Sequence, residues 1–166
     1  MAENKDIESK GRKEAGGIVG TFRHSLDPKK RLTIPSEWRD AMGDPEYVYV
    51  FPDMTKDCLN LAPPHEMASL LEKMKSDSLF DADADALREA FGETAQMIRI
   101  DSAGRIRIND DLLGFAGVNS AVVLKGAVRN AKIWAAEKLP AAGAGGKRFD
   151  VAAARAAMAK FRMMGV

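Results

Sequence analysis

Twice in this chain an aspartate is followed four positions later by an arginine, in DPKKR (Asp27 to Arg31) and in DSAGR (Asp101 to Arg105). A short carboxylate at the first position of such a loop accepts hydrogen bonds from loop backbone N–H groups, and the arginine opens the next segment, pointing away from the core. Arginine presents a rigid fork of donors that matches a phosphate or the O6/N7 edge of guanine, and a two-stranded ribbon is thin enough to enter a DNA major groove. Lys29 and Lys30 add charge at the tip of the first loop. With Arg23, Arg99 and Arg107 on the flanking segments, the loops form a basic stripe on a chain whose formal net charge is only +1, so affinity for an anion must come from charge placement. The competing reading is a surface Asp–Arg ion pair of less than about 1 kcal/mol. Recurrence of the pair favours recognition over that alternative.

The elements that must hold the loops are themselves duplicated. An offset of 74 residues carries Asp27 onto Asp101, Arg31 onto Arg105, Ile34 onto Ile108, Gly43 onto Gly117 and Val48 onto Val122 without a gap. In the first copy Phe22, His24 and Leu26 alternate with Thr21, Arg23 and Ser25, and Leu32 and Ile34 alternate with Arg31 and Thr33. This is strand, loop, strand. The second copy repeats it, with Gln96, Ile98, Ile100, Ile106 and Ile108 on one face and Arg99, Arg105 and Arg107 on the other. Ser36 and Asp110 are expected at helix N-caps, and Gly43 and Gly117 at helix ends that need a left-handed residue. Third strands follow at Tyr47 to Phe51 and Ala121 to Leu124, and fourth strands at Cys58 to Leu61 and Lys132 to Ala135. Each unit therefore reads β-loop-β-α-β-β, in an α+β, mostly β chain. One unit alone has little core, so the two are expected to pack as an intramolecular pseudo-dimer with interleaved hairpins.

The expected organisation is a disordered tail over 1–17, a first repeat over 18–63, a helical connector over 64–93, a second repeat over 94–139, and a flexible link with a basic C-terminal helix over 140–166. In the connector, Met67, Leu70, Leu71 and Met74 fall at helical spacing, and Ala84, Leu87 and Phe91 repeat it. In the last segment Val151, Ala154, Met158 and Phe161 do the same. The lone Cys58 excludes an intramolecular disulfide and fits a cytoplasmic address, and no apolar run approaches the roughly 20 residues of a membrane span.

An enzyme reading would rest on Asp77, Asp81, Asp83, Asp85, Glu89 and Glu93, with His65. An alternating DADAD run lacks the glycine and terminal glutamate of a calcium loop, and His24 and His65 lack paired-ligand spacing, so a solvated acidic helix face is the better account. Cys58 reads as a small hydrophobe in a strand. The expectation is no catalytic centre, no metal and no cofactor.

LDPKKRLTIP and IDSAGRIRIN resemble the paired Asp-x-x-x-Arg signatures of the MraZ family, within the SpoVT-AbrB, or swapped-hairpin, superfamily. The resemblance covers about residues 18 to 140. It implies a pseudo-dimeric swapped-hairpin barrel and a nucleoid-associated regulator binding direct repeats in the promoter of the division and cell-wall gene cluster. It also implies a ring-shaped homo-oligomer, an octamer, and DNA contact through Arg31 and Arg105. The sequence departs from the pattern where Lys30 replaces the glycine found at Gly104, so that Lys30 requires strained backbone or a changed turn, and where Asn109 replaces the proline found at Pro35. The alternative is an oligomeric protein-interaction module whose loops are structural.

Overall fold

The computed structural model describes residues 16–76, 81–139 and 151–165. Residues 1–15 of the tail expected over 1–17, Asp77, and residues 140–150 of the expected link lie outside these. The first repeat supplies β1 (Thr21–Ser25), β2 (Arg31–Thr33), α1 (Ser36–Ala41), β3 (Tyr47–Pro52) and β4 (Leu59–Ala62). Two helices follow, α2 (Pro64–Ser76) and α3 (Ala82–Thr94). The second repeat supplies β5 (Gln96–Arg99), β6 (Arg105–Arg107), α4 (Asp110–Ala116), β7 (Ala121–Gly126) and β8 (Ala131–Ala135), and α5 (Val151–Met163) comes last.

Among the described residues, the first two strands of each repeat, β1 and β2 in one and β5 and β6 in the other, take their partners solely from the opposite repeat. The large sheet runs β1-β7-β8-β4-β3-β5, and β2 pairs with β6 in a separate two-stranded ribbon. All pairs are antiparallel. The registers obey the 74-residue repeat. Arg23 lies opposite Val123 in β1·β7, and Met97 lies opposite Tyr49 in β5·β3, each pair being the other's duplicate. Leu32 lies opposite Ile106 and Leu59 opposite Ile133, so at these two places a residue faces its own counterpart. A pseudo-twofold axis therefore passes through the ribbon and through the middle of the sheet.

The alternation read from sequence decides which faces are buried. Leu32, Ile34, Ile106 and Ile108 point from the ribbon into one core with Val48, Val50, Leu59, Leu61, Val122, Leu124 and Ile133 of the sheet. Trp38 and Met42 of α1 and Leu112, Leu113 and Ala116 of α4 close its ends. Burial of each large aliphatic side chain contributes roughly 1.5–3 kcal/mol before conformational entropy is counted. Trp38 also donates Nε1–H to the Val19 carbonyl at 2.7 Å and stacks edge-on against Phe22, with 5.3 Å between ring centroids. Helices α2 and α3 pack against β3, where Phe51 meets Phe91 at 5.1 Å and Met67 is buried.

Two local expectations require correction. Ser36 and Asp110 are the first helical residues, not the caps. Pro35 precedes α1 without a side-chain cap, and at α4 the Asn109 side chain accepts from Leu112 N–H at 2.9 Å. Asn109 keeps extended backbone, ψ 159°, which is the conformation a cap requires, and its amide oxygen has the reach of Asp. The acidic segment before α3 has a structural use of the same kind. Asp81 caps α3 by accepting from Asp83 and Ala84 N–H. Cys58 is fully buried, and burial raises its thiol pKa.

Candidate nucleic-acid interface

Both loops are built by the same set of hydrogen bonds. In the first, Lys30 N–H donates to the Asp27 carbonyl at 2.8 Å and closes a β-turn, while Asp27 Oδ1 accepts from Lys29 N–H at 3.0 Å and Arg31 N–H at 2.7 Å. In the second, Gly104 N–H donates to the Asp101 carbonyl at 2.9 Å, and Asp101 Oδ1 accepts from Ala103 and Arg105 N–H, both at 2.9 Å. The residue that leaves each turn is left-handed, with φ 58° at Lys30 and 77° at Gly104. The strained lysine expected from the departure at position 30 is thus present, and the turn itself is unchanged.

The other carboxylate oxygen of each aspartate grips the arginine. Arg31 Nε–H donates to Asp27 Oδ2 at 2.6 Å, and Arg105 Nε–H donates to Asp101 Oδ2 at 2.8 Å. The arginines, expected to point away from the core, are drawn onto their own loops. Their side chains are 29% and 32% exposed and lie back on their loops. The ion pair weighed as the rival reading exists, but it engages Nε only. No hydrogen bond engages the terminal nitrogens of either arginine among the described residues, and the one ion pair they make, from Arg105 Nη1, is long at 4.0 Å, so part of each donor fork is held in place with donors to spare. Both aspartates have lowered pKa values, chiefly from the backbone N–H of the arginine in each loop, so they stay ionised and keep the grip at neutral pH.

The ribbon brings the loops together. Arg105 Nη1 stands 4.0 Å from Asp27 Oδ2, reaching from one loop to the other's carboxylate. Arg31 lies opposite Arg107 in the register, an unfavourable pairing of like charges unless each is balanced. Asp110 supplies that balance on the second copy's side. It accepts from Arg107 Nη2 at 3.0 Å and from Lys30 Nζ at 3.3 Å, and its carboxyl pKa is lowered chiefly by the Arg107 bond. Arg107 also donates to the Ile108 carbonyl. Lys29 is exposed at the first turn. Arg23 and Arg99 are exposed on β1 and β5, the two edge strands of the large sheet, and no hydrogen bond or ion pair joins either of them to the ribbon among the described residues.

One cation at this surface was not found from sequence. Arg39, in the last turn of α1, donates Nε–H to the Ile34 carbonyl at 3.3 Å and lays its guanidinium across Gly104. A Cβ built on that glycine would stand 2.6 Å from Arg39 Cζ. The available signal was a mismatch between copies, because position 113, the counterpart of Arg39, holds leucine. Asp110 was assigned only to helix capping, and its role in holding two cations has no sequence signature.

Among the described residues no group of three or more His, Cys, Asp or Glu side chains is placed to hold a metal ion, and no helix is long and apolar enough to cross a membrane. Comparison with curated proteins finds a "Transcriptional regulator MraZ" of Clostridium tetani that is 32% identical over 121 residues, covering 73% of this chain and 83% of the relative. The chain belongs to the MraZ family. MraZ proteins of Natranaerobius thermophilus and Thermomicrobium roseum are each 32% identical, over 73% and 72% of this chain and 82% of each relative. A scan against protein-family models gives no match. The resemblance carried by the two loops is therefore matched by MraZ relatives aligned over most of the chain, and the family's members are named as regulators, not as enzymes.

Proposed function

We propose that this protein is a DNA-binding transcriptional regulator whose two Asp-x-x-x-Arg loops, one at each end of the short β2·β6 ribbon, engage double-stranded DNA. The observation that carries the reading is the duplicated loop in which Asp27 or Asp101 fixes an arginine by Nε and leaves its terminal nitrogens without a hydrogen bond among the described residues, Arg105 Nη1 making only a 4.0 Å ion pair. Held donors of this kind lose little side-chain entropy when a phosphate or guanine edge arrives. The printed names of the MraZ relatives support the regulatory class. The finer reading is that the protein acts at the nucleoid on direct repeats in its own promoter, ahead of the division and cell-wall gene cluster. There, a ring-shaped homo-oligomer sums weak contacts from many loops through effective concentration. Arg23, Lys29, Lys30, Arg31, Arg99, Arg105 and Arg107 are the proposed contacts, with Asp27, Asp101 and Gly104 shaping the loops.

The test is fluorescence anisotropy of wild type, Arg31→Ala and Arg105→Ala with DNA from upstream of the protein's own gene and with scrambled DNA, across a salt series. The expected result is a preference for the upstream DNA that either substitution abolishes with folding and assembly intact. Removing one phosphate partner flattens the log-log salt slope by about 0.9, whereas removing a base partner erases the preference. Wild type without preference, and substitutions without effect, would make the loops structural and favour a protein-interaction module.

A further inference from the structure

The two ends of the ribbon are related by the pseudo-twofold axis, yet each obtains its outer cation from a different element. At one end the left-handed loop position is Lys30, with a side chain 55% exposed, and the helix position beside it is Leu113, which turns into the core at 4% exposure. Lys30 and Leu113 line one shared surface depression. At the other end the loop position is Gly104 and the helix position is Arg39. The assignments are reciprocal: the loop carries the cation where the helix carries leucine, and the helix carries it where the loop carries glycine. Space enforces the choice, because the Arg39 guanidinium occupies the place that a side chain on residue 104 would leave by.

B-DNA has local twofold axes perpendicular to its length, and a ribbon that shares one of them meets sugar-phosphate backbone at both of its ends. Beside Arg31 and Arg105, an outer cation at only one end would leave one backbone with one charge-assisted contact fewer than the other. We infer that Arg39 is a DNA-backbone contact, supplied by the first repeat to the second loop, which takes the place there that Lys30 takes in the first. The inference rests on the DNA-binding reading above and deepens it. The only hydrogen bond of the Arg39 side chain, among the described residues, is the one from Nε to the Ile34 carbonyl, which leaves its terminal nitrogens for a phosphate.

The experiment is the salt dependence of DNA binding by the full chain carrying Arg39→Leu, Arg39→Lys, or Arg39→Leu with Gly104→Lys. Leucine already serves at position 113, the counterpart of 39, and lysine at position 30, the counterpart of 104, so Arg39→Leu and Gly104→Lys are each held elsewhere in the architecture, and Arg39→Lys keeps the charge. Arg39→Leu is expected to flatten the log-log slope by about 0.9, so that its deficit against wild type shrinks about 3.5-fold between 50 and 200 mM salt. Arg39→Lys keeps the wild-type slope, and the double variant regains it. An Arg39→Leu slope equal to wild type, or an Arg39→Lys slope as flat as Arg39→Leu, overturns the contact, the second outcome assigning Arg39 to loop positioning. A double variant as flat as Arg39→Leu overturns the equivalence of the two cations. Loss of effect confined to Arg39 leaves the DNA-binding reading standing, whereas a wild type that binds no DNA removes both.

Discussion

Lys30 provides a measurement of what one departure from glycine costs the fold. Its φ of 58° is left-handed, a conformation that costs a residue with a Cβ roughly 1–2 kcal/mol, while glycine in the same place loses about 0.5–1 kcal/mol more backbone entropy on folding. Lys30→Gly should therefore stabilise by about 0.5–1 kcal/mol before the ion pair is considered. That pair, Lys30 with Asp110, has both side chains more than half exposed and is screened by solvent, and Asp110 keeps Arg107 when it is lost. Comparison of Lys30→Gly with Lys30→Ala removes the pair from both sides and isolates the backbone. The expected result is a Lys30→Gly variant about 0.5–1 kcal/mol more stable than Lys30→Ala, seen as a higher urea midpoint at unchanged m value and a melting temperature roughly 2–4 °C higher per kcal/mol. Equal stability, or a more stable alanine variant, would refute the claim that the turn holds this residue under strain.

Further outcomes follow from other parts of the molecule. Trp38→Ala should destabilise by about 3–5 kcal/mol in urea titration, because it empties a buried site and leaves the Val19 carbonyl without its donor. Gly126→Ala should lower the melting temperature and release hydrogen-exchange protection at Ile18 and Val128, since its Cβ would stand 2.4 Å from the Ile18 carbonyl oxygen. Asp27, Asp101 and Asp110 all have pKa values lowered below 3.8, so the unfolded chain binds more protons and the stability they contribute is full above pH 3.8 and lost as pH falls below it. Asp53 belongs to the same set. Burial raises its pKa, but the Lys132 bond and the Thr55 N–H outweigh that, so Asp53→Asn should lower the urea midpoint at pH 7 and make its decline on acidification shallower.

Much of the site was legible because a duplicated sequence is its own comparison. The in-register recurrence of Asp27 and Arg31 at Asp101 and Arg105 located the loops, and alternation of Leu32 and Ile34 with Arg31 and Thr33 gave the buried face of the ribbon. Strand partners were less accessible, because alternation reports that β1 has one buried face and not that β7 lies beside it. The cap at 109 rather than 110 turned on one residue's backbone, where Asn and Asp serve equally as caps. The arginines were expected to reach outward because a strand residue's direction follows from alternation, whereas the grip of Asp27 Oδ2 on Nε depends on side-chain rotamers that spacing does not specify. Arg39 was overlooked for a related reason. A single cation in the last turn of a helix ordinarily complements the helix dipole, and only its position over Gly104 gives it another use.

The exchange of strands between repeats also governs when the chain can fold as it leaves the ribosome. β1 is made before the other strands, yet its only sheet neighbour among the described residues is β7, which ends at Gly126, and the second edge of β4 waits for β8, which ends at Ala135. A nascent chain halted after α3 would hold β1, β2 and the outer edges of the β3·β4 pair with no partner, and unpaired strand edges invite association with other chains. At a synthesis rate of about 5–20 residues per second, that interval lasts several seconds. The long sequence separation between partners then makes closure slow by topology alone. Helices α2 and α3, which form from local contacts and lie against β3, give the waiting half something to pack on until the second half arrives.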